Sequence, residues 1–383
     1  MKIVTGQFAE AKIFTDDVEQ HALAQIQMIC NNPVAEGSKI RVMPDVHPGM
    51  VGTIGLTMTV GERIVPNLLG IDIGCGVSCV VIKEKRLEPQ QMDKVIRERI
   101  PSGFAIRDTG HWMADFFEFS DLYCAKHING DKSYRSLGTL GSGNHFIEVD
   151  KDEEGNLYLM VHSGSRHLGK EVTEYYIEAG AKELKAKGIE VPHPWTWLEG
   201  ELMEHYIQDV QVVQEYAALN RKIMLEEILK GMKWKAVERF SSIHNYIEAQ
   251  DAKDGFQNYL GEKDYILRKG AISAQQGELV IIPVNMRDGV ILGVGKGNSD
   301  WNYSAPHGSG RCLKREEVKN RYTVSSFKRE MKGIYCSCIG ADTLDEAPFA
   351  YRSIEQVLQC IEDTVKVTDI LKPVYNFKAG GKE

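Results

Sequence analysis

Leu69-Gly70-Ile71-Asp72-Ile73-Gly74-Cys75-Gly76 is the stretch from which the rest of the chain is read. An acid and a thiol stand three residues apart, with glycine before, between and after them. The apolar run into it and the run out through Val77 to Val81 predict a strand ending in a tight, close-packed turn, because glycine lets backbone turn sharply and approach a neighbour. A carboxylate and a thiolate presented on one turn can hold a metal. Taken alone, the stretch also fits a core turn with a solvated Asp72 and an inert, buried Cys75.

Working outward, Lys39 to Met43 reads as a strand that stops at Pro44-Asp45-Val46-His47-Pro48-Gly49, since two prolines oppose continued pairing. Gly55 to Val60 predicts a second strand. Asp16-Asp17 predicts a helix start, with the helix reaching about Cys30. Pro89 sits at a natural first helical position for a helix to Arg99. A glycine-rich loop from Ser136 enters a strand near Phe146, and Leu157 to Val161 predicts another. Helical periodicity dominates from 169 to 234, broken near Pro192-His193-Pro194. Glu278 to Asn285 and Val290 to Val294 read as a hairpin joined near Asp288-Gly289. Ser353 and Gln356 match a capping box for a last helix to about Val365. Strands and helices mix without regular βαβ alternation, which predicts one α+β domain over 1–383 with a helical insertion at about 169–234.

The 383 residues carry a net charge of -8, so any nucleic acid must be gripped by a local patch and not by the whole surface. No stretch is long and apolar enough to span a bilayer, and no signal peptide is visible. The eight cysteines are too scattered for a disulfide framework, which suits a reducing cytoplasm with most of them as small core residues.

Four histidines sit at predicted element ends. His145 follows Gly141-Ser142-Gly143-Asn144, His162 closes an apolar strand, His244 precedes Asn245, and His307 lies between Pro306 and Gly308-Ser309-Gly310. Side chains at element ends can converge on one cleft, and with Asp72 and Cys75 they predict a metal or catalytic centre. By ligand softness the set suits zinc; manganese accepts the Asp and His donors, and a single thiolate can bridge two divalent ions. Open sites of that kind suit phosphoryl chemistry. His307, flanked by small residues, can serve as ligand, base or nucleophile. Gly293-Val294-Gly295-Lys296-Gly297-Asn298 lacks the spacing of a phosphate loop and reads as a tight turn.

Assembled in order, Pro44-Asp45-Val46-His47, Gly70 to Cys75, Gly141 to Glu148, His162 to Arg166, His244-Asn245, His307 to Arg311, Tyr351 and Lys378 make the sequence resemble the RtcB family of RNA-splicing ligases. The resemblance implies an α+β fold with packed β-sheet at its centre and helices around it. It implies a GTP- and manganese-dependent enzyme that joins an RNA 3'-phosphate or 2',3'-cyclic phosphate to a 5'-hydroxyl, in RNA repair or splicing. His307 would become guanylylated, and GMP would pass to the RNA 3'-phosphate. Cys75 would bridge two manganese ions, with His162 and His244 at one and Asp72 and His145 at the other. Asn144, Phe146, Glu148, Asn245, Pro283, Asn285, Met286, Gly308, Ser309, Gly310, Tyr351 and Lys378 would surround the nucleotide. Glu148 would accept from guanine N1–H and the 2-amino group, and Lys378 would donate to O6. Partners would be RNA ends, GTP and an activating protein such as archease or a release-factor-like companion, with no membrane. Two rivals share parts of this pattern: a metal-dependent phosphoesterase without GTP, and a non-enzymatic RNA-binding protein with a structural metal. The chain departs from the family pattern at Ser309, where many members carry alanine, and at Val284, Asn285 and Val290 in the preceding hairpin.

Overall fold

The computed structural model describes residues 1–251 and 263–379. Two sheets form its frame. The first has six strands, in the order Lys2–Thr5, Glu10–Ile13, Ile40–Pro48, Thr53–Thr59, Lys263–Lys269, Asn245–Asp251. The second has seven, in the order Ala236–Ile243, Gly76–Ile82, Leu157–Ser163, Phe146–Lys151, Val365–Phe377, Gly289–Gly295, Leu279–Asn285. Its neighbouring strands are all antiparallel. The second sheet curls until its edge strands meet, where Ile281 N donates to Ser242 Oγ at 3.1 Å. Val77, Cys79, Phe146, Met160, Ile281, Val290, Leu292 and Leu371 fill the inside of that curl.

The helical segment covers the opposite face. Helices Arg166–Ala186 and Gly200–Met232 flank the proline-rich break that the sequence predicts. The second of them, 33 residues long, packs on Leu157–Ser163, Gly76–Ile82 and helix Pro89–Arg99. Gly74 lets it approach the Asp72 turn: a Cβ there would lie 2.8 Å from Ala217 Cβ and 2.9 Å from Gln214 Cα. Arg221 of this helix is fully buried beneath the turn, donating to Gly74 O at 2.7 Å, Ser163 O at 2.9 Å and Ser78 Oγ at 2.9 Å. Burial pulls its guanidinium down to about 10. Among the described residues, no helix is long and apolar enough to cross a membrane.

Several boundaries differ from expectation. The chain does not leave the sheet at Pro44: strand Ile40–Pro48 continues, and a register shift between Val42 and His47 takes up the proline. A bulge leaves residues unpaired, so the missing proline N–H costs no ladder bond. The first helix begins at Gln20, beyond Asp16-Asp17. The 13-residue strand Val365–Phe377 had no expected counterpart, and it joins the Phe146 strand to the Gly289 hairpin. Only four cysteines are buried; Cys312 is exposed, and Cys336, Cys338 and Cys360 are partly exposed. The tail from 380 onward lies outside the described residues.

Candidate active site

The two sheets are joined directly at His244, between strand Ala236–Ile243 of the second sheet and strand Asn245–Asp251 of the first. His244 N donates to Cys75 O at 2.9 Å, and His244 O accepts from Gly270 N at 2.7 Å. The second sheet brings up the other side chains. Gly76 pairs with Ser163 and Val77 with His162, while Phe146 pairs with His162 across the next ladder. Cys75, His162 and His145 are thereby neighbours at one end of three adjacent strands.

Cys75 Sγ lies 3.5 Å from His145 Nε2 and 3.4 Å from His162 Nε2. His162 Nε2 lies 3.4 Å from His244 Nε2, and His145 Nε2 lies 3.1 Å from Asp72 Oδ2. The donors form two triads, Cys75–His162–His244 and Asp72–Cys75–His145, which share the sulfur. His145 Nδ1 lies 2.8 Å from Leu140 O and His162 Nδ1 lies 3.1 Å from Asn144 O, so both rings are oriented with Nε2 inward. Asp72 Oδ1 accepts from Ser165 N at 3.0 Å.

The protonation chemistry favours a cation. Burial drives His162 and His244 well below the ordinary imidazole range, leaving both neutral. Burial first, then the Asp72 charge, pushes the Cys75 thiol well above its usual range. Neutral imidazoles around a thiol that needs positive charge to ionise are the donor set of a soft-to-borderline divalent ion.

His307 borders this cluster, its ring centroid 4.8 Å from that of His244. It follows strand Ser304–Pro306, which pairs with Ala271–Ser273 just after the Gly270 turn. Asp45 Oδ2 lies 2.7 Å from His307 Nδ1, close but out of line with the ring N–H, and accepts from His307 N at 3.2 Å. Gly310 makes that proximity possible: its φ is +72° and a Cβ would sit 3.0 Å from Asp45 Cα. Asp45 is the principal site residue that sequence reasoning left without a role. Its signal was an acid inside an apolar, proline-bounded strand.

A cleft extends from His244 and His307 across to Glu346 and Lys378. Asn144, Phe146, Glu148, Pro283, Asn285, Met286, Gly308, Ser309, Gly310, Tyr351 and Lys378 all line it, as do His47, Arg311, Arg315, Glu346 and Asn376. Asn245 is not in that lining. Its side chain donates to Asp72 O at 3.2 Å and accepts from Gly270 N at 2.9 Å, tethering the two turns. Asn285 contributes position only, because its side chain is spent on Arg287 N, Asp288 N and Asp288 Oδ2 of the hairpin turn. Ser309 Oγ likewise faces inward, donating to Val284 O at 2.6 Å. Lys296 is not in the lining; it bonds Glu362 O instead.

At the far wall, Lys378 Nζ donates to Glu346 Oε2 at 2.9 Å, not to Glu148. Tyr351 OH donates to the same oxygen at 2.6 Å, and Arg311 and Arg315 reach Glu346 Oε1. Burial opposes ionisation of Glu346, but the Lys378 and Arg315 charges and the Tyr351 hydrogen bond hold it down at about 2. Glu148 has a different balance. Burial raises it to about 7, against the Asn376 amide, which donates to its Oε2, and the charge of Lys378.

One thiol, three imidazoles and one carboxylate that could hold metal ions, beside a cleft lined by lysine, arginine and glutamate side chains, are the equipment of a metal-dependent enzyme. The profile of the family described as tRNA-splicing ligase RtcB matches residues 25–127 and 115–379. The chain is 30% identical to the RNA-splicing ligase RtcB of Escherichia coli K12, over 97% of this chain and 98% of that protein. It is 28% identical to RNA-splicing ligase RtcB2 of another Escherichia coli strain, covering 97% and 96%. With the tRNA-splicing ligase RtcB of Aeropyrum pernix it shares 27% identity, covering 83% of each. The chain belongs to the RtcB family of RNA ligases.

Proposed function

We propose that this chain is a GTP- and manganese-dependent ligase that joins RNA 3'-phosphate or 2',3'-cyclic phosphate ends to 5'-hydroxyl ends through a guanylylated His307. The observation that carries the proposal is His307 itself, packed against His244 of the donor cluster and braced by Asp45 in a cleft with room beyond it. Asp72, Cys75, His145, His162 and His244 are the ligands proposed for two divalent ions, with Cys75 shared. Bound there, such ions would polarise phosphate oxygens and offset developing charge. Manganese is favoured over zinc by the family resemblance.

Asp45, on the Nδ1 side of His307, leaves Nε2 as the atom that attacks the α-phosphate of GTP. A P–N bond forms, the bond from the α-phosphorus to its bridging oxygen breaks, and pyrophosphate leaves. The RNA 3'-phosphate then takes the GMP, freeing His307 and giving an RNA-(3')pp(5')G end. The 5'-hydroxyl attacks the RNA-borne phosphorus, forms the phosphodiester and expels GMP. A cyclic end must first be opened by water. Glu148 and Lys378 are the proposed guanine contacts, with Phe146, Asn144 and Tyr351 around them; Lys378 must then share its ammonium between Glu346 and the base. Free thiols at all eight cysteines suit a reducing cytoplasm.

The test is incubation with GTP labelled at the α-phosphate plus manganese, followed by denaturing electrophoresis and peptide mapping. The expected adduct is acid-labile, alkali-stable and located on His307. An adduct on Lys296 or another residue overturns the mechanism. Cleavage of cyclic phosphate with no adduct would make the chain a phosphoesterase.

A further inference from the structure

The loop Cys336-Ser337-Cys338 holds a pair of nucleophiles outside the cleft. Its two sulfurs lie 3.0 Å apart as free, partly exposed thiols. The loop is tied to the main chain of the last strand. Tyr335 N donates to Val374 O at 3.1 Å, Asn376 N donates to Tyr335 O at 2.9 Å, and Lys378 N donates to Cys338 Sγ at 3.2 Å. Ser337 is clamped from the other side, accepting from Arg97 Nη2 at 2.8 Å and donating to Asp93. Asn376 and Lys378 are also the residues whose side chains reach the two cleft carboxylates, Glu148 and Glu346. The backbone that presents the far wall of the cleft is thus bonded directly to a dithiol.

The two thiols differ in kind. The two sulfurs are in hydrogen-bond contact, in which either can donate, and Cys338 alone also accepts from the Lys378 N–H; the two contacts lower the Cys338 thiol despite burial. Cys336 is pushed up by the sulfur–sulfur contact and by burial. Two partly exposed thiols in contact, one of them stabilised by a backbone N–H, are the arrangement that thiol–disulfide exchange uses.

We propose that Cys336 and Cys338 are a modification site for small-molecule disulfides of the glutathione type, and that closing the pair into a disulfide weakens nucleotide binding at the far wall. Cys338 thiolate attacks the small disulfide, forming a mixed disulfide and releasing one thiolate. Cys336 then loses its proton to solvent and attacks Cys338 Sγ, breaking the mixed bond and releasing the second thiolate. The protein dithiol is oxidised by two electrons and one small disulfide is reduced to two thiols. Closure must bring the sulfurs to about 2.05 Å and so shifts the Cys338 sulfur that accepts from Lys378 N. The coupling rests on the nucleotide assignment of the cleft; the modification does not.

The full chain is equilibrated in buffers of reduced and oxidised glutathione, then denatured, alkylated and peptide-mapped. GTP affinity is measured in parallel by equilibrium dialysis with manganese. The expected result is an internal disulfide between Cys336 and Cys338 and an affinity lower by about tenfold, the order of one lost hydrogen bond, restored by dithiothreitol. Cys336→Ser should stop at the mixed disulfide on Cys338, seen in the peptide map, and the double variant Cys336→Ser/Cys338→Ser should abolish the redox response while binding GTP within about twofold of wild type in dithiothreitol, since a hydroxyl at 338 can still accept from Lys378 N. Failure of these two cysteines to pair overturns the modification site. An equal loss of affinity in the oxidised double variant places the effect elsewhere, Cys75 included, and overturns the coupling. Absence of GTP binding by reduced wild type overturns the nucleotide assignment and the coupling with it, while the peptide map still judges the modification.

Discussion

The donor cluster around Cys75 and the charged wall around Glu346 face the same cleft, yet they are stabilised in opposite ways. In the cluster, side chains are fixed from behind by main-chain atoms, with Leu140 O on His145, Asn144 O on His162 and Ser165 N on Asp72. Their inward atoms face one another. At the wall, the charges satisfy one another, since Lys378, Arg311, Arg315 and Tyr351 all converge on Glu346. A preorganised donor set gains its full interaction when an ion arrives, whereas a closed ionic network must exchange partners to bind anything. Loss of one residue should therefore act in a nearly all-or-none way at the cluster and by degrees at the wall.

The largest effect expected is that of Cys75→Ala, which removes the one donor common to both triads. Metal content measured by elemental analysis should drop below one ion per chain, and guanylylation should fall by about a thousandfold or more. A variant that keeps two ions and wild-type labelling would refute the shared-ligand role. Wild-type metal binding should also strengthen as pH rises, because Cys75 must give up a proton while His162 and His244 are already neutral.

Next comes Asp45→Asn, at the border between the two regions. Metal content should stay unchanged, while single-turnover guanylylation slows by about a hundredfold, on the order expected for a misaligned nucleophile. An unaltered rate would show that proximity to His307 Nδ1 carries no catalytic weight. Glu148→Gln then probes the wall. The preference for GTP over ATP, taken as a ratio of labelling efficiencies, should shrink by about ten- to a hundredfold, because an amide cannot accept both guanine N–H donors. Equal shrinkage in Asn245→Ala would blur the contrast, since Asn245 tethers the cluster and does not line the cleft.

The same contrast governs how much could be read from sequence. Four of the five cluster residues lie near glycines in short, local signatures such as Gly70 to Cys75 and Gly141 to His145, His244 is marked only by its place before Asn245, and the structure brings all five together. The α+β class was legible too, because strand and helix periodicities mixed without βαβ order. Asp45 was hidden by its two prolines: chain that reads as an excluded loop stays in the sheet through a bulge. The wall was hidden by distance. Glu346 reaches Lys378 and Arg315 across a loop, and Lys378 arrives on a strand, Val365–Phe377, whose alternation is interrupted by Pro373 and a register shift. No local pattern encodes an ionic network assembled from separate elements.

The smallest effect expected is also the one that separates the two carboxylates of the wall. Glu346 sits at about 2 and stays ionised throughout the working range. Glu148 sits at about 7, raised by burial above its ordinary 4.5. Two opposite trends follow from that one shift. In the nucleotide-free chain the folded state holds the Glu148 proton more tightly than the unfolded state, so its contribution to stability is present below about 4.5 and is lost as pH rises through about 7. GTP binding runs the other way, because only the carboxylate accepts from both guanine donors. As pH falls from 8 to 6 the carboxylate takes up its proton, so GTP affinity should weaken several-fold while ATP affinity barely changes. Bound guanine favours the ionised form, so calorimetry near neutral pH in buffers of different ionisation enthalpy should register proton release on binding GTP. Glu148→Gln should flatten the affinity profile and abolish that release. A profile as steep in the variant as in the wild type would assign the titration to another group and leave base choice to the Lys378 side of the wall.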